Sequence, residues 1–164
     1  MILDALLADF GITGLSEAEK DYFNRAWHRL SPWPDSVDGL TRLKEKYIIA
    51  TLSNGDVSLL TNMAKYAKLP WDCILSAELA KRYKPDPAVY RMAADLLGLG
   101  PPEIMMVAAH PEDLKAAAGV GLRTAFVPRP LEHGPGHQGS ELVETSEFDV
   151  SANTFSDLAQ RLGA

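Results

Sequence analysis

Tyr47-Ile48-Ile49-Ala50-Thr51-Leu52-Ser53-Asn54-Gly55-Asp56 decides the fold. An apolar, β-branched run enters a small-polar turn, and a helical pattern follows. The stretch reads as a buried parallel strand that ends in a polar loop at its carboxyl end. Open α/β sheets bind ligands at that edge, so Ser53 and Asn54 are candidate site residues. The plainer reading is that Ser-Asn-Gly-Asp only caps the next helix. Taken alone, the stretch leaves both readings open.

Working outward, strand and helix patterns alternate. Strands are expected at 47–52, 73–77, 104–109 and 122–127, with a possible edge strand at 148–150. Helices are expected over 57–68, from Asp86-Pro87 to Gly98, over 111–118 and over 155–162. In the second of these, Asp86 suits the cap and Pro87 the first turn. Such alternation means a parallel sheet with helices on both faces. The fold class is therefore α/β, a three-layer α/β/α arrangement with a mostly parallel, Rossmann-like sheet. Residues 128–146 are rich in Gly and Pro and read as a long surface loop.

Before residue 47 the pattern is helical. Ile2, Leu3, Leu6, Leu7 and Phe10 share one face, and Ser16 to Glu19 fit a capping box. Tyr22, Phe23, Ala26, Trp27 and Leu30 make a second apolar face, so Trp27 and Trp33 are expected to pack rather than to line a site. Ser31-Pro32-Trp33-Pro34 breaks this helical pair. The expected division is a partial helical cap, 1–33, and a core, 34–164. Asp35 is expected to cap a helix whose inner face is Val37, Leu40 and Leu43.

With 164 residues and 46% apolar content, one packed domain is expected. A net charge of −6 argues against nucleic acid or an anionic membrane as the main partner. Cys73 is the only cysteine, which suits a reducing compartment. The start of the chain lacks signal-peptide features, and a cytoplasmic protein is expected. Four histidines without close repeats carry no zinc signature, and no metal site is expected.

Polar residues follow four strand ends: Ser53 and Asn54, then Lys84, then His110 and Asp113, then Arg129. In a parallel sheet these ends share an edge. Lys84 sits in Tyr83-Lys84-Pro85-Asp86-Pro87, where prolines stiffen the backbone beside a cation. A cation fixed there would stabilise an anionic neighbour. Asp113 has a second reading as a first-turn acid favoured by the helix dipole. His110 reads as a cap or as a general base. Arg129 and His133 are expected to be solvated.

Together these segments resemble the haloacid dehalogenase superfamily, its type II 2-haloacid dehalogenase branch in particular. The resemblance runs through Pro32-Trp33-Pro34-Asp35, Thr51-Leu52-Ser53-Asn54-Gly55, Leu69-Pro70-Trp71-Asp72, Tyr83-Lys84-Pro85-Asp86-Pro87, Val107-Ala108-Ala109-His110 and Gly121-Leu122-Arg123-Thr124-Ala125. It implies attack by an aspartate on the carbon bearing the halogen, loss of halide with inversion, and hydrolysis of the aspartyl ester. It further implies that Ser53 and Asn54 bind the substrate carboxylate or orient the nucleophile. Lys84 would pair with the nucleophilic carboxylate, Tyr90 line the site and Asp113 position water. Two departures stand out. Ala108 and His110 replace serine and asparagine of the family pattern. And no Asp-x-x-Gly-Thr occurs in the chain, Asp4 being followed by Ala5-Leu6-Leu7.

The resemblance thus implies a core lacking the family's first, central strand and its nucleophile, with activity impaired. Truncation, a misplaced start and a pseudoenzyme would each account for that. The strands at 47–52 and 104–109 are then expected to pair directly, or another chain to fill the gap between them. A 2-haloacid dehalogenase needing no cofactor is the leading functional reading, with a small carboxylate substrate and a homo-oligomer as expected partners. A phosphatase of the same superfamily would want magnesium held by acids, and Ala108 and Ala109 leave only Asp113 with Glu112 there. A non-catalytic remnant serving binding or dimerisation is the third reading.

Overall fold

The computed structural model describes residues 2–134 and 145–164. Among these residues five short strands are present: β1 (Ala50–Ser53), β2 (Cys73–Ser76), β3 (Met105–Ala108), β4 (Arg123–Phe126) and β5 (Val150–Ser151). Eight α-helices accompany them among the described residues: α1 (Ile2–Asp9), α2 (Glu17–Asn24), α3 (Ser36–Lys44), α4 (Val57–Ala67), α5 (Ala77–Ala80), α6 (Pro87–Leu97), α7 (Pro111–Ala118) and α8 (Phe155–Arg161). All strand pairs are parallel, and every pair sets Cα partners in a continuous register, such as Ala50 with Cys73 and Met105 with Arg123. The expected α/β architecture with a mostly parallel sheet is what the chain forms.

The layering follows from the two-residue period of a strand. On β4 and just beyond it, Ala125 and Val127 join one core with Leu40, Leu43, Leu158 and Ala159 of α3 and α8. Phe126, between them in sequence, joins the other with Tyr90, Met106, Leu114 and Ala117 of α6, β3 and α7. On β3, Met105 and Val107 pack on the first core and Met106 lies in the second. Helices therefore cover both faces. Gly39 lets α3 and α8 approach closely, since a Cβ there would fall on Phe155.

The sheet is split. Among the described residues β1 pairs only with β2, and β3, β4 and β5 form a separate sheet. No backbone hydrogen bond joins β1 to β3 among the described residues, so the expected direct pairing does not occur. On one face α3, which precedes β1, rests on α8, which follows β5. A cavity of about 780 Å³ lies between the two sheets, lined by Ala50, Leu52, Met105, Val107, Leu43 and Leu158 among others.

Several expectations are corrected. The strand expected from Tyr47 begins at Ala50, because the Tyr47 N–H still bonds to Leu43 O at the end of α3 and Ile48 is 63% exposed. A short helix, α5, follows β2 directly. The second N-terminal helix stops at Asn24 and continues as 3₁₀ over Arg25–Arg29. Its apolar face is not covered: Tyr22, Phe23 and Trp27 are exposed, as is Phe10 of the α1 end. Trp27 is thus a surface residue, and Trp33 is partly so, lying 5.3 Å from the Arg129 guanidinium. Asp35 precedes α3 but makes no side-chain cap bond. The loop expected at 128–146 falls partly outside the described residues.

Candidate functional site

The site is built where the carboxyl ends of β1, β2 and β3 come together. The turn after β1 is fixed from within. Ser53 Oγ accepts the Gly55 N–H at 3.1 Å, and buried Ser76 at the end of β2 donates its hydroxyl to Gly55 O at 2.6 Å. Asp56 caps α4 by accepting the Leu59 N–H. The capping reading of Ser-Asn-Gly-Asp is therefore true of Asp56, while Asn54 has a different task. Asn54 Oδ1 accepts the Lys84 N–H at 2.7 Å, and its Nδ2 donates to Lys84 O at 3.3 Å. Both backbone groups of Lys84 are thereby held by one amide from the neighbouring strand end.

Lys84 Nζ lies 2.6 Å from Asp113 Oδ2, and the two side chains are only 15% and 16% exposed. The other carboxylate oxygen, Oδ1, accepts the Tyr90 hydroxyl at 2.6 Å. Tyr90 is fully buried. Burial first, and then the hydrogen bond and charge of Asp113, push its hydroxyl well above the ordinary tyrosine range. It therefore keeps its proton and serves as a donor. Asp86 starts α6 by accepting the Ala88 N–H, with Pro87 in the first turn, and so sets the pitch that delivers Tyr90. Asp113 stands in the first turn of α7, where a carboxylate is favoured by the helix dipole.

Lys84, Tyr90, Asp113 and Asn54 thus form one bonded group spanning both sheets. Ser53 adjoins it through Asn54, and its Oγ accepts the Gly55 N–H, a bond that does not use its own O–H donor. His110 stands apart and is exposed. It makes no side-chain cap bond, and its Nε2 lies 2.9 and 3.0 Å from the oxygens of Glu132. Glu132 carried no sequence signal, since it sits in an aperiodic Gly- and Pro-containing loop.

Arg129 departs from expectation: it is not solvated. Its Nη1 donates to both oxygens of Asp35, at 2.9 and 3.0 Å, and both side chains are nearly buried. Asp35 also accepts the Phe155 N–H at 2.7 Å. Burial works against ionisation of Asp35, but the Phe155 N–H and the Arg129 guanidinium outweigh it and hold the carboxyl below its usual range. Among the described residues, no group of three or more His, Cys, Asp or Glu side chains is gathered as a metal cage.

A family model for haloacid dehalogenase-like hydrolases matches residues 3–121. The chain is 40% identical over 113 residues to the (S)-2-haloacid dehalogenase 4A of Burkholderia cepacia, covering 67% of this chain and 49% of the relative. It is 32% identical over 152 residues to the (S)-2-haloacid dehalogenase 1 of a Pseudomonas strain, covering 89% of this chain and 66% of the relative. Among solved structures, an L-2-haloacid dehalogenase superposes with a TM-score of 0.93 at 47% identity, covering 98% of this chain and 70% of that one. A defluorinating L-2-haloacid dehalogenase gives 0.93 at 51% identity, covering 99% and 66%. The chain thus spans about half to two thirds of the length of these curated relatives.

Proposed function

This chain belongs to the haloacid dehalogenase-like hydrolases, and from that premise we propose that its site serves hydrolytic removal of halide from an (S)-2-haloalkanoic acid. The observation that carries the reading is the Lys84 ammonium fixed at 2.6 Å from Asp113 beside the end of β1. Carboxylate attack on a carboxylate substrate gathers two negative charges in one place. A preorganised cation and directed donors are what such a transition state needs.

In this reading an aspartate oxygen bonds to C2 and the carbon–halogen bond breaks, with inversion. Water then cleaves the aspartyl ester, giving a 2-hydroxy acid and restoring the aspartate. Lys84 offsets the charge of the attacking carboxylate. Ser53 and Asn54 bind the substrate carboxylate or orient the nucleophile, Asn54 by holding the backbone of Lys84; Tyr90 lines the site, Asp113 orients the water, and His110 is the candidate base. The nucleophile is not among these residues, since no Asp-x-x-Gly-Thr occurs in the sequence, and the chain alone is expected to be impaired. No cofactor enters the scheme. Both oxygens of Asp113 are already engaged by Lys84 and Tyr90, which disfavours the magnesium site of a phosphatase. The cap and core division, a small carboxylate as partner, self-association and a cytoplasmic setting belong to the same proposal. The last is supported by Cys73 being the only cysteine of the sequence, which suits a reducing compartment. No helix among the described residues is long and apolar enough to cross a membrane.

The test is chloride release measured by ion chromatography. The chain is fused behind the N-terminal segment of the Burkholderia cepacia relative and given each enantiomer of 2-chloropropionate. Release from the (S) form is expected, with a loss of about 10²–10³-fold in the fused Lys84→Met variant. A folded fusion that releases chloride from neither enantiomer, or that instead cleaves p-nitrophenyl phosphate with magnesium, contradicts the reading.

A further inference from the structure

The carboxyl end of β3 has few polar side chains. Ala108 and Ala109 bring no donor or acceptor, and His110 is the first residue there that can exchange a proton near neutrality. Asp113 follows in the first turn of α7, one oxygen bonded to Lys84 and the other to Tyr90. It can hold a water through a remaining lone pair. A proton taken by that carboxylate, however, would meet an ammonium and a hydroxyl already bonded to it.

His110 is held from two sides. Its backbone is fixed by the start of α7, since its carbonyl accepts the Asp113 and Leu114 N–H groups at 3.2 and 3.4 Å and Pro111 follows. Its ring is fixed by Glu132, whose two oxygens lie 3.0 and 2.9 Å from Nε2. Glu132 is itself placed by a turn, its N–H bonding to Arg129 O at 3.0 Å, and Arg129 is anchored on Asp35. The contact decides the tautomer. A carboxylate only accepts, so Nε2 carries the proton and a neutral ring has its lone pair on Nδ1. Nδ1 has no protein partner among the described residues. Stability is a poor account of the pair, because both side chains reach solvent and exposed ion pairs contribute little.

Resting on the halide-removal reading above, we infer that Glu132 is a positioning residue for the hydrolytic step: it holds the Nε2–H of His110, so that Nδ1 accepts the proton of the attacking water. As the water oxygen bonds to the acyl carbon of the aspartyl ester, Nδ1 takes one proton. The bond from the acyl carbon to the alkoxy oxygen then breaks, and Nδ1 returns that proton to the departing oxygen. The second proton of the water leaves the new aspartic acid for solvent. Glu132 touches neither water nor ester and acts through His110.

The first readout is the tautomer itself. Long-range ¹H–¹⁵N correlation spectra of the full 164-residue chain are recorded at pH 9, above the ordinary histidine range, with His110 assigned by the signals lost in His110→Asn. The parent ring is expected to be almost wholly Nε2–H, and in Glu132→Ala to relax toward a mixture of both forms. The second readout uses the fused enzyme of the chloride test, with chloride followed by rapid quench. When ester hydrolysis alone is slow, one chloride per chain appears in a burst before slow turnover. Glu132→Ala is expected to slow the later phase by about tenfold, part of the 10²–10⁴-fold a positioned base contributes, with the burst preserved. Adding Glu132→Ala to His110→Ala is expected to cost nothing further. Three results would overturn the role of Glu132: a tautomer that is the same with and without it, a burst that slows in step with turnover, or losses from the two substitutions that add. A parent fusion that releases no chloride removes the halide-removal reading and this role together, whereas any of the three with an active parent removes the role alone.

Discussion

β4 and β1 are both four-residue parallel strands, yet their surroundings differ sharply. β4 has a partner on each edge, and Thr124, Ala125 and Phe126 are buried. β1 has one partner, and none of its four residues is buried. Composition made both look like core. What separates them is lateral company, since a strand is shielded by neighbours at its edges as much as by helices on its faces. The molecule therefore has a consolidated half around β4 and a half around β1 that lines an open space, with the candidate site bolted across the two.

The largest effect expected from this contrast is on packing. Leu114, fully buried against β3 and β4, should cost about 2–5 kcal/mol when cut to alanine. Leu52→Ala, on half-buried β1, should cost less than half of that. Urea unfolding of the two variants measures both, and equal losses would erase the distinction between the halves.

Next in size is the Asp35–Arg129 pair, which ties the start of α3 to the chain beyond β4. Asp35→Asn leaves a nearly buried guanidinium without its counter-charge, at an expected cost of about 2–3 kcal/mol at pH 7. The sign of the pH dependence is fixed by the lowered folded-state value. The stabilisation is full above the unfolded carboxyl value near 3.8 and is lost as pH falls through the lower folded value. The gap between the parent chain and Asp35→Asn should thus close on acidification. A gap that stays constant from pH 7 to pH 3 would mean the ion pair is not its source.

The smallest effect belongs to the rim of the open half. Ile48 is 63% exposed despite its place in an apolar run. Ile48→Ser should change stability by no more than about 0.5 kcal/mol. A loss of 2 kcal/mol would show that the residue is covered.

Much of this architecture could be read from the chain. Alternation of strand and helix patterns located β1 to β4, while the possible edge strand at 148–150 falls at Val150–Ser151, and Asp86-Pro87, Ser16 and Gly98 marked helix ends that form as local chemistry requires. Lys84, Tyr90 and Asp113 were nameable because they follow strand ends or match family motifs. What escaped notice depends on distance along the chain or on cover. Asp35 is bonded to Arg129, 94 residues away, and no local pattern reports such a partner; a cap was the natural expectation for an aspartate before a helix. Asn54 was read as binding the substrate carboxylate or orienting the nucleophile; its bonds to the backbone of Lys84 were not foreseen, because they depend on how β1 and β2 align. Phe23 and Trp27 have the spacing of a buried face, but periodicity shows only which residues share a side, not whether anything lies against it. For Tyr47 to Ile49, apolar character suggested a strand although the end of α3 claims the first of them.

The central claim is that Lys84 and Asp113 join the two halves into one site. A double-mutant cycle measures it directly, using Lys84→Met, Asp113→Leu and the pair together, by urea unfolding. Because the side chains are 15% and 16% exposed, a coupling of about 2 kcal/mol or more is expected, above the 0.2–1 kcal/mol typical of surface pairs. A coupling within about 0.3 kcal/mol of zero, the scatter of independent sites, would mean that the two residues do not hold each other and that the site is not assembled as described.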